Sequence, residues 1–213
     1  MISKSSKLKT LGLMAAVLTL GACAAGSDVA NSPIQRKFQW FSFMEGGDFK
    51  AACTPGSAGR YRMVYNGIYT EQVRVYDLNA ETGVLDTQLI EPMDLRDFSV
   101  SDLAGVLDPW RGKTSMRLLS RAEVSSIVGA LESDGAFGPP AVGVQLPSMG
   151  FFWTIASCHD GAYHFTGLAW PSAAWDRARF DDALWAVDPI ATAVNPPRKT
   201  DLRRNPKAGQ RYN

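Results

Sequence analysis

The residues that could carry catalysis are few and lie close together in the second half of the chain. Ser157, His159, Asp160 and His164 fall within eight positions, and the two histidines are the only ones in the protein. A serine hydroxyl becomes a nucleophile when a histidine accepts its proton and a carboxylate orients that histidine. A two-residue turn at Asp160 and Gly161 would place Ser157 opposite His164 in a hairpin. Ser157 and His164 are therefore the weak catalytic candidates of a small hydrolase.

Local patterns favour structural roles for these residues. The serine is not in a G-x-S-x-G nucleophile elbow, and the turn accounts for Asp160 without catalysis. Cys158 and His159 do not form a dyad, because neighbouring side chains on a strand point to opposite faces. We expect no catalytic site and keep the hydrolase as an alternative function.

Metals and cofactors are not expected either. Two histidines are too few for a multi-histidine site, and the sequence lacks H-E-x-x-H, P-loop and Gly-rich dinucleotide signatures. Four aspartates, at positions 94, 97, 102 and 108, do not follow the spacing of a calcium-binding loop. We therefore predict neither a metal site nor a cofactor-binding site.

Charge is distributed unevenly along the chain. Residues 23–194 contain 13 basic and 20 acidic side chains, a net charge of −7, whereas residues 195–213 contain six basic side chains and one acidic one, a net charge of +5. An acidic body disfavours nucleic acid as a partner, because phosphate binding requires a basic surface. Residues 195–213 lack apolar periodicity, which predicts a disordered tail that is either simply solvated or in contact with an anionic envelope surface.

The N-terminus has the order of a secretory signal peptide. Three lysines precede an apolar run that begins near Leu11, and small residues follow it. The run is shorter than the ~20 residues that a membrane-spanning helix needs. Residues 20–23 (LGAC) resemble the lipobox of bacterial lipoproteins. The resemblance covers only the first 23 residues, and it implies cleavage before Cys23 and acylation of this cysteine, which would anchor the protein to a lipid bilayer.

The lipobox also implies a location and an organisation of the chain. Ala24 follows the cysteine where inner-membrane lipoproteins often have aspartate, which favours the outer membrane, facing the periplasm, over the inner membrane. We divide the chain into a signal peptide (1–22), an acylated cysteine with a flexible tether (23–35), one globular domain (36–194) and a basic tail (195–213).

Assigning Cys23 to the lipid leaves two cysteines in an oxidising compartment. Cys53 and Cys158 would then pair, and we predict a disulfide between them. Two buried free thiols are the alternative.

Apolar patterns predict a sheet with helices. Residues 38–44 and 84–90 read as strands, although periodicity leaves a buried helical turn open for residues 38–44, and residues 60–78 read as a hairpin. A turn at Asn66 and Gly67 would set Arg62 opposite Glu71, although a longer loop reaching residue 70 is an alternative. Residues 151–170 form the strongest hairpin pattern, and we expect this hairpin at the centre of the sheet.

Two stretches are predicted to be helical. Ser120 and Glu123 form a capping box before an apolar stripe that ends at Gly135, and a shorter helix is expected from Arg177 to Val187. The predicted fold is α+β: an antiparallel sheet of about five to seven strands, one clear helix, a shorter second helix and one disulfide.

The expected function follows from the lipobox and the lack of a convincing catalytic constellation. We predict a lipid-anchored cell-envelope protein with a non-enzymatic role in binding or envelope assembly, whose partner is an envelope protein or a glycan. The alternatives are the hydrolase using Ser157 and His164, and a glycan- or peptidoglycan-binding module with an exposed row of aromatic side chains. The tryptophans available for such a row are Trp40, Trp110, Trp175 and Trp185.

Overall fold

The computed structural model describes residues 33–92, 112–140 and 142–198. The lipobox, Cys23, Trp110, the four aspartates and most of the basic tail lie outside these ranges. No helix within the described residues is long and apolar enough to cross a bilayer. In chain order, the helices and strands are α1 (Pro33–Met44), α2 (Gly47–Lys50), β1 (Arg60–Gly67), β2 (Val73–Asn79), β3 (Val84–Ile90), β4 (Lys113–Leu118), α3 (Arg121–Ser133), β5 (Phe151–His159), β6 (Ala162–Ala169), α4 (Ala173–Arg177) and α5 (Phe180–Trp185).

The six strands form one antiparallel sheet in the order β4-β3-β2-β1-β5-β6. Helix α1 packs on one face through Val64, Val73 and Val75, while α3 and α5 cover the other face. This architecture confirms the predicted α+β fold.

The β5–β6 hairpin has the predicted register but not the predicted position. Trp153 lies opposite Leu168, and Ser157 lies opposite His164. The hairpin is not central, because β1 occupies the other side of β5 and leaves β6 at the edge of the sheet. All nine residues of β5 except His159 are buried, as expected of a strand covered on both faces.

The predicted turn at Asn66 and Gly67 is wrong. Both residues belong to β1, and the connection to β2 is the longer loop 68–72, so Arg62 lies opposite Asp77 instead of Glu71. The physical reason is long-range pairing: Asn66 and Gly67 also pair with the first residues of β5. Two neighbouring strands hold these residues extended and override their local preference for a turn.

The predicted strand at residues 38–44 is also wrong, since these residues lie in α1. The helix begins at Pro33, inside the predicted tether of residues 23–35, and proline is well suited to the first helical position. Trp40, Phe43 and Met44 recur at helical spacing, and Phe43 and Met44 are buried against the sheet. Phe41 points away and is 77% exposed. The short aromatic run is compatible with both the helical and the strand periodicity, and packing against the sheet favours the helix.

Helix α3 matches its prediction closely. The Ser120 side chain accepts a hydrogen bond from the Glu123 backbone amide, and the Glu123 carboxylate accepts one from the Ser120 amide. Gly135 adopts a left-handed φ of 78°, which ends the helix.

The second predicted helix, Arg177 to Val187, corresponds to α5, which is shorter, while α4 ends where that prediction begins. The α5 residues Phe180 and Leu184 enter the core. The chain after α5 is held on the sheet by Arg74, a fully buried side chain that pairs with Asp188. The Tyr65 hydroxyl donates to the Asn195 carbonyl at 2.5 Å. The predicted start of the disordered tail, residue 195, is therefore too early, because Asn195 is hydrogen-bonded to the domain.

The core on this face is built around Trp153. Its ring centroid lies 5.0 Å from those of both Tyr65 and Phe180, and 6.1 Å from that of Trp185. Burying aromatic side chains of this size removes much apolar surface from water, so this cluster is a main source of the domain's stability.

Cys53 and Cys158 form the predicted disulfide, with their Cα atoms 5.5 Å apart. The bond joins the segment after α2 to the end of β5 and closes a loop of 105 residues. It therefore ties the N-terminal helices to the sheet covalently.

Replacing both cysteines, Cys53→Ser with Cys158→Ser, should lower the free energy of unfolding by about 2–5 kcal/mol, because the unfolded chain regains the freedom that the bridge removes. Urea denaturation followed by tryptophan fluorescence measures this change. A loss within about 0.5 kcal/mol, the range of an ordinary surface substitution, would contradict the expectation.

Candidate ligand-binding cleft

Ser157 and His164 face each other across β5 and β6 but do not form a catalytic pair. The Ser157 side chain is fully buried, and its hydroxyl has no hydrogen-bond partner among the described residues. The His164 ring packs near Phe137, with centroids 5.8 Å apart. In this geometry no base is in contact with the hydroxyl, so the serine is not activated.

His159 and Asp160 have structural positions. A hydrogen bond of 2.8 Å joins His159 Nδ1 to the Tyr61 hydroxyl, and the His159 ring stacks on Phe137 at 3.9 Å. Asp160 occupies the turn with a left-handed φ of 51°. Burial, and then the carboxylates of Asp160 and Glu132, raise the pKa of Tyr61 to about 12, which keeps its phenol protonated at neutral pH.

A cleft of about 630 Å³ lies on the opposite face of the sheet. Its size falls in the range of small-molecule binding sites. The C-terminal end of α1 forms one wall, the connection before β5 forms another, and β5 and β6 form the floor. The lining residues are Trp40, Phe41, Met44, Glu45, Asn66, Tyr69, Leu146, Ser148, Phe152, Thr154 and Phe165.

The α1 wall is fixed by a buried arginine. Arg62 donates to the Phe43 carbonyl at 3.0 Å and pairs with Asp48 and Asp77, each at 2.5 Å. Burial lowers the pKa of Arg62, but Asp77 and Asp48 more than offset this effect, and the net shift is upward. The guanidinium therefore remains charged and holds the end of α1 against the sheet.

A second contact links α1 to β6. The Tyr163 hydroxyl donates to the Glu45 carbonyl at the end of the helix. Arg62 and Tyr163 thus place the cleft-lining residues of α1 above Phe165.

The wall formed by the connection before β5 is held by the end of β1. The Asn66 side chain is buried and donates to the carbonyls of Ser148, at 2.9 Å, and Gly150, at 2.6 Å. The Tyr69 amide donates to the Ser148 carbonyl at 2.8 Å. Ile68, just before it, has a left-handed φ of 68°, an unusual conformation for a β-branched residue. This backbone geometry brings Tyr69 to the mouth of the cleft.

The lining is mostly apolar, with two polar features of interest. Thr154 is 1% exposed, and its hydroxyl has no hydrogen-bond partner among the described residues. Glu45 is an exposed acidic residue of the lining. Within the described ranges no cluster of three histidine, cysteine or acidic side chains could hold a metal ion. A mostly apolar cavity with a few polar groups is the usual form of a small-molecule binding site.

Comparisons with protein-family models, curated proteins and solved structures found no match.

Of the tryptophans that the sequence offers for a glycan-binding surface, Trp40 lines the cleft. The other described tryptophans of that set do not form an exposed row: Trp175 and Trp185 pack around Tyr65, at 6.3 and 6.0 Å. The cleft itself could not be predicted, because its walls come from segments up to 125 residues apart, between Trp40 and Phe165.

The contact between Tyr163 and α1 should depend on pH. Burial, and then the Glu45 carboxylate, raise the pKa of Tyr163 to about 12, above the value of about 10 expected in the unfolded chain. The stabilisation is fully present below about pH 10 and is lost as the pH rises to about 12. Wild type should therefore lose about 1–2 kcal/mol relative to Tyr163→Phe across this window, after allowing for solvent screening. Urea denaturation of both proteins measures the difference, and a difference that stays constant with pH would contradict the assignment.

Proposed function

We propose that this chain is a lipid-anchored, non-enzymatic binding protein of the bacterial cell envelope, and that the cleft is its ligand-binding site. The proposed anchor is acylated Cys23, and the proposed location is the outer membrane, facing the periplasm. The tether of residues 24–32 leads directly into α1, whose other end forms a wall of the cleft. The proposed anchor therefore lies shortly before the helix that forms one wall of the cleft.

The apolar cleft between α1 and the sheet is the observation that carries the proposal. Its lining favours an apolar ligand over a glycan, because sugar recognition requires many polar partners for the hydroxyl groups. The alternative function, a hydrolase, is less well supported. Ser157 and His164 lie on the face of the sheet opposite the cleft, and the Ser157 hydroxyl makes no hydrogen bond to His164.

The basic tail has a first contact on the domain. Arg198 pairs with Glu71 at 2.9 Å, so the beginning of the tail lies on the loop between β1 and β2. Contact of the remaining basic residues with an anionic envelope surface is part of the proposal.

Replacing Cys23 tests the anchor. Cys23→Ala should abolish incorporation of labelled fatty acid and release of the signal peptide, because the acylated thiol is absent. The matched control is Cys53→Ser with Cys158→Ser, which removes the two cysteines outside the lipobox without leaving a free thiol and should keep the label. Metabolic labelling followed by membrane fractionation measures both variants, and label retained by Cys23→Ala would refute the anchor.

Charging the cleft tests the binding site. Leu146→Glu places a carboxylate on the apolar wall and should weaken binding of the neutral probe N-phenylnaphthylamine by at least about tenfold, because a charge in an apolar site loses hydration. The assay is fluorescence titration of the mature chain, residues 23–213, with Cys23→Ser to remove the lipid.

The matched control is Leu118→Glu, the same change at a side chain 72% exposed on β4. It should bind the probe as the parent protein does. Circular dichroism verifies that both variants are folded. If Leu146→Glu and Leu118→Glu bind the probe with equal affinity, the cleft is not the binding site of the probe.

A further inference from the structure

Exposed apolar side chains gather around the mouth of the cleft. Phe41 and Tyr69 line it and are 77% and 47% exposed, and Met149 follows the lining residue Ser148 and is 51% exposed. The Met149 sulfur lies 3.9 Å from the hydroxyl of Thr70, the neighbour of Tyr69. Exposed aromatic and apolar groups in one area are typical of a surface that meets a partner or a membrane.

The length of chain before α1 allows this mouth to reach a bilayer. Pro33 lies ten positions after Cys23, with nine residues between them, and an extended chain over this distance spans up to about 33–36 Å. Helix α1 has 12 residues and is therefore about 18 Å long. The tether can run the length of the helix, so an anchor at Cys23 permits the far end of α1, which carries Phe41, to face the membrane.

The charge at the mouth narrows the choice of lipid. Glu45 is an exposed acidic residue of the cleft lining. The ammonium of a zwitterionic head group is attracted to a carboxylate, and an anionic head group without an ammonium lacks this interaction. The apolar interior below the mouth is suited to a hydrocarbon chain, which gains free energy for each methylene group it buries.

We propose that the cleft takes up one acyl chain of a zwitterionic, ammonium-bearing phospholipid from the bilayer to which the protein is anchored, with the mouth facing that bilayer. This inference rests on the proposed function, in which the cleft is the binding site, and adds the class of ligand. A hydrocarbon chain makes no hydrogen bond with Thr154, so the hydroxyl of this residue is not required for binding.

Photo-crosslinking tests the proposal on the mature, acylated protein in vesicles. The vesicles contain phosphatidylcholine and phosphatidylethanolamine, including phosphatidylethanolamine with a diazirine on one acyl chain. Mass spectrometry should locate crosslinks on cleft-lining residues of α1, β6 and the connection before β5. Leu146→Glu should reduce these crosslinks at least about tenfold, and Leu118→Glu should leave them unchanged.

Two further comparisons test the mouth and the interior of the cleft separately. Phe41→Ser should reduce the crosslinks several-fold, because it removes an apolar group from the mouth, while Met116→Ser, at a side chain 69% exposed on β4, should not. Thr154→Val should bind as well as wild type or better, because it replaces a buried hydroxyl that has no hydrogen-bond partner in the described part of the chain by a methyl group. Weaker crosslinking of Thr154→Val would indicate a ligand with a buried polar group and would overturn the acyl-chain assignment.

The remaining outcomes separate this inference from the proposed function. If Leu146→Glu blocks the neutral probe but wild type gives no lipid crosslink in the cleft, the binding site stands and the phospholipid is rejected. Crosslinks spread equally over β4 and the cleft also reject it. If a diazirine fatty acid incorporated at Cys23 labels the cleft while labelled phospholipid does not, the protein's own anchor is the occupant, and the proposal is overturned.

Discussion

Antiparallel pairing between β1 and β5 holds the two halves of the chain together. It joins Arg60–Gly67 to Phe151–His159, and each strand has a further partner on its other side. The Cys53–Cys158 disulfide lies at one end of this pair, and the buried Asn66 side chain lies near the other. The floor of the cleft and the central core on the opposite face both depend on this alignment, because side chains alternate between the two faces of a strand.

Two buried arginines attach the outer layers to opposite faces of this sheet. Arg62 pairs with Asp48 and Asp77 on the face covered by α1, while Arg74 pairs with Asp188 on the face covered by the C-terminal segment. Burying a charge is costly, so each guanidinium requires these partners. The arginine also fixes the position of a helix. Arg62 donates to the carbonyl of Phe43 near the end of α1, and one wall of the cleft therefore has a defined position.

The proposed function combines features that differ in origin. The proposed anchor depends on a short sequence that resembles a lipobox, whereas the cleft exists only in the folded domain. Residues 24–32 link the proposed anchor to the start of α1, and the apolar mouth lies at the other end of this helix. The proposed membrane-facing cleft would account for the exposure of Phe41, Tyr69 and Met149, for which the core offers no explanation.

The sequence by itself determined the features that depend on local chemistry. The Ser120 capping box defines the start of α3, the Asp160 turn sets the register of β5 and β6, and a compartment inferred from the lipobox implies the pairing of the remaining cysteines. Tertiary structure decided the features in which a distant partner competes with local preference. Pairing with β5 keeps Asn66 in a strand despite its turn-forming neighbour, and packing against Val64 and Val75 makes the aromatic run before residue 45 helical. The cleft belongs to the second group, because its walls meet only after β1 and β5 have paired.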